Sequence, residues 1–231
     1  MGFAEDLRSE VRNIFASTWQ IRDGDKVPET DDVALGNSAV KLSGTVLYAD
    51  LAESTRMVNK SKSHFAAEVY KTYLLTVCRI IRLHQGEITA FDGDRVMAVF
   101  IGKSKNSDAA TVALKVNWAV QQIVNEELKR QYADTDFRVK QSLGIDTGEL
   151  WVARTGIRGS NDLVWVGRAA NYAAKLCSLR SDHKVTWITE DVFNALNDPT
   201  KYSKGTLMWE KAYWREYERN VYSSTYWWSI E

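Results

Sequence analysis

The chain contains little cysteine and little proline, and each shortage excludes a class of structure. Two cysteines among 231 residues are too few for a disulfide framework and too scattered for a zinc site. Cys78 and Cys177 lie within apolar patterns that are typical of helices, so we expect two buried free thiols in a reducing compartment. The two prolines exclude a proline-rich linker.

The charge balance and the absence of long apolar runs exclude further classes. The chain has 30 basic and 30 acidic residues, whereas proteins that coat nucleic acid carry a basic face, so no nucleic acid polymer is expected as a partner. No stretch of eighteen apolar residues is present, so we expect no membrane span. Residues 1–15 lack the apolar segment of a signal peptide, and a cytoplasmic location is expected.

Hydrophobic periodicity predicts an α+β domain. Helical spacing of apolar residues predicts helices over residues 3–19, 62–84, 107–132, 168–179 and 189–196. Short apolar runs predict strands at residues 45–50, 86–91, 95–100, 138–145, 148–153, 163–166 and 185–188. Two hairpins are expected, one around Gly93 and one around Asp146-Thr147. The order is that of a ferredoxin-like βαββαβ core with extra strands and helices, whose central, mostly antiparallel sheet is flanked by helices.

Three segments are predicted along the chain. Residues 1–42 comprise a helix and an acidic, irregular loop from residue 22 to residue 37. Residues 43–190 form the main domain. Residues 191–231 begin with a short helix and end in a segment rich in tryptophan and tyrosine, which we expect to cover a sheet edge or a dimer seam on the same domain.

Two aspartates suggest a metal site. Asp50 ends the apolar strand of SGTVLYADLAEST, and alone it is better explained as a helix cap. Asp94 follows 44 residues later in the first hairpin, where alone it fits a type I′ turn. On neighbouring strand ends, however, two carboxylates repel each other unless a cation lies between them. Oxygen ligands without nearby histidine or cysteine favour Mg²⁺ or Mn²⁺.

A second group of polar residues lies on the alanine-rich helix after Gly167. Arg168, Asn171 and Lys175 are spaced so that they share one helix face. Two cations and an amide near a helix N-terminus suit a triphosphate, with Arg168 as a candidate phosphate contact. Alone, the same pattern is better explained as a solvated basic stripe.

Four stretches resemble, in this order, the four motifs of the class III nucleotide cyclase catalytic domain: YADLAEST, GEITAFDGDRVMAVF, LGIDTGELWVA and VWVGRAANYAAKL. The resemblance covers about residues 43–190. It implies that Asp50 and Asp94 bind two divalent cations, and that Asn171 and Lys175 stabilise the transition state from the partner protomer of a homodimer with active sites at its interface. The family usually has arginine where Lys175 stands, so the charge is kept and the bidentate fork is lost.

Two departures from the family concern the base of the nucleotide. Purine cyclases have a base-reading lysine or glutamate where this chain has Ala90, and an aspartate, threonine or cysteine where it has Val164. Losing both partners would leave a purine edge unpaired at a cost of roughly 1–3 kcal/mol per group. The large side chains of Tyr48, Phe91 and Trp165 are expected to narrow the pocket toward a pyrimidine.

The segment from RDGDKVP to LGNSAVKLSGTVLYADLAEST resembles the pyrimidine cyclases of bacterial Pycsar antiphage systems. This resemblance implies a nucleoside triphosphate substrate, with UTP favoured, and a cyclic UMP product that a separate effector protein detects. The alternatives are a cytidylate cyclase, an adenylate cyclase that reads its base through backbone groups, and a cyclase-like module that binds nucleotide without chemistry.

Overall fold

The computed structural model describes residues 2–179 and 184–230. Its α-helices are α1 (Phe3–Ala16), α2 (Ser54–Lys60), α3 (Ser63–Leu83), α4 (Lys105–Ala119), α5 (Asn125–Gln131), α6 (Arg168–Cys177), α7 (Glu190–Ala195) and α8 (Asp198–Lys201). Its strands are β1 (Gln20–Asp23), β2 (Ser38–Ala52), β3 (Glu87–Asp92), β4 (Arg95–Phe100), β5 (Lys140–Ile157), β6 (Ser160–Val166), β7 (Thr186–Thr189), β8 (Tyr202–Ser203), β9 (Thr206–Leu207), β10 (Glu210–Trp214) and β11 (Arg219–Ser224).

Contacts divide the chain into two compact units. The first combines residues 1–43 with residues 149–167, and the second combines residues 44–148 with residues 168–231. The predicted division into residues 1–42, 43–190 and 191–231 stays a prediction.

The second unit is built on a sheet with the strand order β10-β11-β7-β5-β2-β4-β3. Within it, β5-β2-β4-β3 has the order of a ferredoxin-like core. The β2–β4 and β3–β4 pairs are antiparallel, and β5 pairs with β7 in parallel. The predicted α+β fold with a mostly antiparallel central sheet is therefore confirmed.

One face of this sheet forms the main hydrophobic core with helices α3 and α4. Its sheet side chains include Leu47, Ala49 and Leu51, and its helix side chains include Tyr73 and Leu114, all of them almost fully buried. The period-2 alternation of a strand sends the intervening residues of β2 to the opposite face. That opposite face is where the polar residues of the site lie.

Helix α6 and the aromatic segment near the C-terminus cover part of the opposite face. Leu176 of α6 packs in a small core with Trp187, Trp214 and Val221. Strand β11 pairs with β7 and extends the sheet, so the prediction that this segment covers a sheet edge is confirmed. Beyond β11, the backbone N–H of Trp228 donates to a carbonyl of helix α4.

In the first unit, β1 pairs in parallel with the start of β2, and β5 pairs with β6 as an antiparallel hairpin. The prediction of an irregular loop over residues 22–37 is therefore wrong at its start, because β1 extends to Asp23 and a 3₁₀ turn follows at Thr30–Asp32. The partner strand of β1 lies almost twenty residues away, which local periodicity does not detect. Helix α1 has no buried residue.

The predicted hairpin at Asp146-Thr147 is wrong, because β5 continues through both residues. The chain turns near Gly159 instead, between β5 and β6. Asp146 is fully buried and accepts a hydrogen bond from Thr189, and the hydroxyl of Thr147 contacts that of Thr45. Asp146 and Thr147 are residue types that are usual in turns, but here they form hydrogen bonds with distant parts of the chain.

The helix predicted over residues 107–132 is interrupted by a π-helical turn at Val120–Val124, between α4 and α5. Neither cysteine forms a disulfide within the described residues, and Cys177 is buried whereas Cys78 is half-buried. Within residues 2–179 and 184–230, no helix combines the length and the hydrophobicity that a bilayer crossing needs.

Candidate active site

Strand pairing brings the two candidate metal ligands to one end of the sheet. Asp50 lies opposite Arg95 in the antiparallel β2–β4 pair, and Asp94 directly precedes Arg95. The β3–β4 hairpin has a two-residue turn, since Asp92 pairs with Arg95. Because neighbouring strands lie about 5 Å apart, this register holds the backbones of Asp50 and Asp94 close together.

The local structure argues against both simpler explanations of these acids. Asp50 lies within β2 and does not cap α2, whose N-cap is Glu53 with a left-handed φ of 61°. A type I′ turn needs a positive φ at both central residues. Gly93 has a φ of 61°, but Asp94 does not lie in the positive region. Each acid therefore keeps a side chain that is not explained by local backbone structure.

Asp94 carries the feature that fits a cation best. Its Oδ2 atom is buried and has no hydrogen-bond partner within residues 2–179 and 184–230. A buried, unpaired carboxylate oxygen is costly unless a cation or donor meets it. No group of three or more histidine, cysteine or acidic residues suited to a metal ion occurs in the described part of the chain. A cation at this position would therefore have the two predicted carboxylate ligands, and further oxygens would come from substrate phosphates or water.

Arg95 is a site residue that the sequence analysis missed. Its guanidinium donates to Asp92 at 3.0 Å and lies 5.5 Å from the centre of the Tyr48 ring. Burial lowers the pKa of Arg95, but the Asp92 hydrogen bond and the charge of Asp50 outweigh this and the pKa is raised. The sequence DGDR shows that Arg95 directly follows the two-residue turn. Extending the strand pairing from that turn would have placed the Arg95 charge opposite Asp50.

The residues predicted to surround the base lie on β2, β3 and β6. Tyr48 and Ala90 both pair with Met97, so they belong to one row across β2, β4 and β3. Ala90 is exposed. Phe91 follows it and is 59% exposed. Burial raises the pKa of the Tyr48 phenol against the opposing charge of Arg95, so the phenol is neutral at neutral pH.

Val164 and Trp165 lie in the first unit. They pair with Ala153 and Val152 in the β5–β6 hairpin. Val164 is 38% exposed, whereas Trp165 is 9% exposed. The buried indole nitrogen of Trp165 has no hydrogen-bond partner among the described residues.

Helix α6 carries the remaining candidates. Its alanines and Leu176 face inward, and Asn171 and Lys175 are exposed on the other side. The ammonium of Lys175 lies 5.2 Å from the centre of the Tyr217 ring and 3.7 Å from Glu216. Tyr217 and then Glu216 raise its pKa, so Lys175 stays charged at neutral pH.

Arg168, the first residue of α6, has its contacts within the chain. Its guanidinium meets the carboxylates of Asp146 and Asp191 and the carbonyl of Thr147. The predicted phosphate contact of Arg168 stays a prediction. These acids were not foreseen as its partners.

Comparison with known proteins identifies the family. A curated protein of Xanthomonas perforans named uridylate cyclase is 48% identical over 233 aligned positions, which cover 100% of both chains. A uridylate cyclase of Burkholderia cepacia is 47% identical, again over 100% of both chains. The chain belongs to the uridylate cyclase family. The predicted resemblance to pyrimidine cyclases is thereby confirmed, and the chain is a nucleotide cyclase.

The solved structures agree on the fold of this family. The guanylyl cyclase Cya2 aligns with a TM-score of 0.68 and 18% identity, covering 81% of this chain and 94% of Cya2. At this identity the likeness supports the class III cyclase fold and nothing finer. A search of protein-family models finds no match.

Proposed function

We propose that the chain converts UTP into 3′,5′-cyclic UMP and pyrophosphate. The observation that carries this proposal is the register that sets Asp50 opposite Arg95, the residue that follows Asp94. The buried Oδ2 atom of Asp94 supports it, because this atom has no hydrogen-bond partner among the described residues. This occurs in a chain 48% identical to a protein named uridylate cyclase. In the proposed reaction the ribose 3′-oxygen bonds to the α-phosphorus and the bond from that phosphorus to the pyrophosphate oxygen breaks. The proton of the 3′-hydroxyl passes to water.

Asp50 and Asp94 would hold two divalent cations, Mg²⁺ or Mn²⁺. Bound there, such cations supply charge neutralisation for the triphosphate and lower the pKa of the attacking hydroxyl. The two aspartates fit this role because their oxygens are hard ligands and the buried Oδ2 atom of Asp94 has no hydrogen-bond partner among the described residues. Arg95 offsets part of the negative charge there, since its guanidinium pairs with Asp92 and interacts with the charge of Asp50.

Asn171 and Lys175 would act on the other side of the substrate. The Asn171 amide can orient the ribose through hydrogen bonds, and the Lys175 ammonium can stabilise charge that develops on the α-phosphate. Both side chains are exposed, as expected of groups that serve a neighbouring subunit. We therefore include in the proposal a homodimer in which each active site combines residues of both protomers.

The base pocket would select a pyrimidine through its size and its lack of purine-reading groups. Ala90 and Val164 offer no side-chain hydrogen bond to a purine edge. Tyr48 is neutral and partly buried, which suits a wall against an uncharged base. Phe91 adds further aromatic surface beside Tyr48 in the proposed pocket, and the role of Trp165 stays a prediction.

The biological part of the proposal follows from the resemblance to Pycsar cyclases. Cyclic UMP would serve as a second messenger in antiphage defence, and a separate effector protein would detect it. The enzyme would act in the cytoplasm. The exposed apolar residues of α1, Phe3, Leu7, Val11, Ile14 and Phe15, offer one surface for contact with a second copy.

A competition among the four nucleoside triphosphates tests the reaction. Equal concentrations of ATP, GTP, CTP and UTP are incubated with the purified chain and Mn²⁺, and products are identified by mass spectrometry. We expect cyclic UMP to dominate, and we expect none with Asp50→Ala purified in the same way. If cyclic CMP or cyclic AMP were the main product, the substrate would be CTP or ATP and the assignment of UTP would be wrong. Nucleotide binding without any cyclic product would favour the non-catalytic alternative.

A further inference from the structure

The side chain of Arg168 joins the start of α6 to two other elements of the second unit. Its NH2 nitrogen donates to the Asp191 carboxylate of α7 at 2.5 Å and to the Thr147 carbonyl of β5 at 3.0 Å. Its Nε atom lies 3.3 Å from the Asp146 carboxylate of β5. We call Arg168, Asp146 and Asp191 the Arg168 clamp. Among the described residues these contacts engage the Nε and Nη2 atoms of the guanidinium, so a phosphate would have only the Nη1 nitrogen to bind.

Burying the carboxylate of Asp146 costs desolvation free energy, so its position needs an explanation. Its side chain is 0% exposed. The Thr189 hydroxyl donates to its Oδ1 atom at 2.5 Å. Burying an ion pair costs desolvation energy that the attraction between the charges often fails to recover, so stability alone is a weak reason for such a pair. Geometric specificity is a better reason, since a buried carboxylate fixes the direction of the arginine that meets it.

A second contact fixes α6 further along its length. A Cβ atom at Gly144 of β5 would lie 2.1 Å from the carbonyl oxygen of Ala173 and 2.3 Å from the backbone nitrogen of Cys177. The helix therefore rests directly on the backbone of β5. The close approach at Gly144 holds the C-terminal half of α6, and the Arg168 clamp holds its first turn. Together they determine both the position and the rotation of the helix.

Asn171 and Lys175 stand on the exposed face of this helix. Rotation or sliding of α6 would move both side chains, and a displacement of about 1 Å at reacting groups can cost roughly 100-fold in rate. We propose that the Arg168 clamp is a positioning device that sets Asn171 and Lys175 for catalysis, and that Arg168 does not bind substrate itself. This inference rests on the proposed roles of Asn171 and Lys175.

The test compares variants of the full chain in steady-state kinetics with UTP and Mn²⁺. For Arg168→Gln we expect kcat to fall about 10- to 100-fold, while KM for UTP stays within about twofold. Arg168→Lys keeps the charge and loses the fork, so it should recover part of kcat. If Arg168 bound a substrate phosphate, Arg168→Gln would instead raise KM for UTP, because that contact would be lost. That result would overturn the proposal.

Asp146→Asn separates positioning from stability. Asparagine keeps the shape of the side chain and removes the buried charge, so the melting temperature should be unchanged or higher. We nevertheless expect kcat to fall at least about fivefold, and amide hydrogen exchange in residues 168–177 to become faster. Unchanged kcat in Asp146→Asn would mean that the clamp is only structural, and the proposal would be wrong. Asp191→Asn should resemble it, and the double variant Arg168→Gln/Asp191→Asn should lose little more than Arg168→Gln alone.

Arg130→Gln is the matched control. Arg130 of α5 also pairs with a carboxylate, Glu127, at 2.8 Å, but it is exposed and lies outside α6. Its kcat, KM and exchange in residues 168–177 should match the unmutated chain. If the unmutated chain forms no cyclic nucleotide, the proposed function fails. If it forms product and the clamp variants keep their kcat, only the positioning role fails.

Discussion

The two groups of candidate catalytic residues are held in different ways. Asp50 is placed by backbone pairing between β2 and β4, and Asp94 by the turn that directly precedes β4; both are partly buried. Asn171 and Lys175 stand exposed on one helix, and the Lys175 ammonium lies 3.7 Å from Glu216 and 5.2 Å from the centre of the Tyr217 ring. The sheet group is therefore organised by one chain alone. The helix group depends on how α6 is fixed and on what approaches its exposed face.

The sheet group should show the largest effect of mutation. Asp50→Ala removes one of two carboxylates at the sheet end, and we expect kcat/KM for UTP to fall on the order of 1,000-fold. Circular dichroism and melting temperature should change little, because Asp50 is partly exposed. The control is Asp25→Ala, which removes an exposed acid in a bend of the first unit. Activity above about a tenth of the original in Asp50→Ala would contradict the metal role of this residue.

Mixing two inactive variants tests whether the helix group serves a partner. Asp50→Ala and Asn171→Ala are each expected to be nearly inactive. Co-expressed, half of the dimers should contain one chain of each kind, and each such dimer would have one intact site. Activity should then recover to roughly a quarter of the unmutated level. Differently tagged chains that co-purify as dimers but remain inactive would show that both groups act within one protomer.

Much of the fold follows from local sequence, because its elements carry local signals. The apolar run before Asp50 and the DGD turn predict β2, β3, β4 and their pairing, and apolar spacing predicts α3. The failures lie where long-range contacts override local preference. Asp146 and Thr147 have the composition of a turn, but Thr189 and Thr45 satisfy them from 43 and 102 residues away. Strand β1 depends in the same way on a distant partner.

In the candidate site, too, some placements follow from local sequence and others depend on long-range contacts. Asp50 and Asp94 lie at one sheet end because β2 pairs with β4, which begins directly after Asp94. Arg95 could be assigned to the site only from the residue-by-residue register of β2 and β4, which the motif alone does not give. The partners of Arg168 lie 22 and 23 residues from it in sequence and on different elements. Only tertiary structure brings these acids to one guanidinium.

Tyr48 offers a smaller effect within the sheet group. It shares the row of Ala90 and should affect nucleotide choice more than folding. For Tyr48→Ala we expect the preference for UTP over the other triphosphates to fall about tenfold, with a small change in melting temperature. Tyr222→Ala is the matched control, because Tyr222 is 8% exposed in the core. It should lose about 3 kcal/mol of stability and keep its nucleotide preference. Unaltered preference in Tyr48→Ala would remove this residue from the base pocket.

The smallest expected effect concerns the buried charge behind the helix group. Burial raises the pKa of Asp146 above its ordinary value of 3.8, against the Thr189 hydrogen bond and the Arg168 charge, whereas the Asp191 charge raises it further. The folded chain therefore holds this proton more tightly than the unfolded chain does. The contribution of Asp146 to stability is complete below the unfolded pKa and is lost as pH rises through the folded pKa. Relative to Asp146→Asn, the melting temperature of the unmutated chain should fall by about 2–4 °C per kcal/mol lost as pH rises from about 4 to 8. Asp25→Asn, at an exposed acid, should show no such trend, and a difference independent of pH in Asp146→Asn would mean that Asp146 is ionised as easily in the folded chain as in the unfolded one.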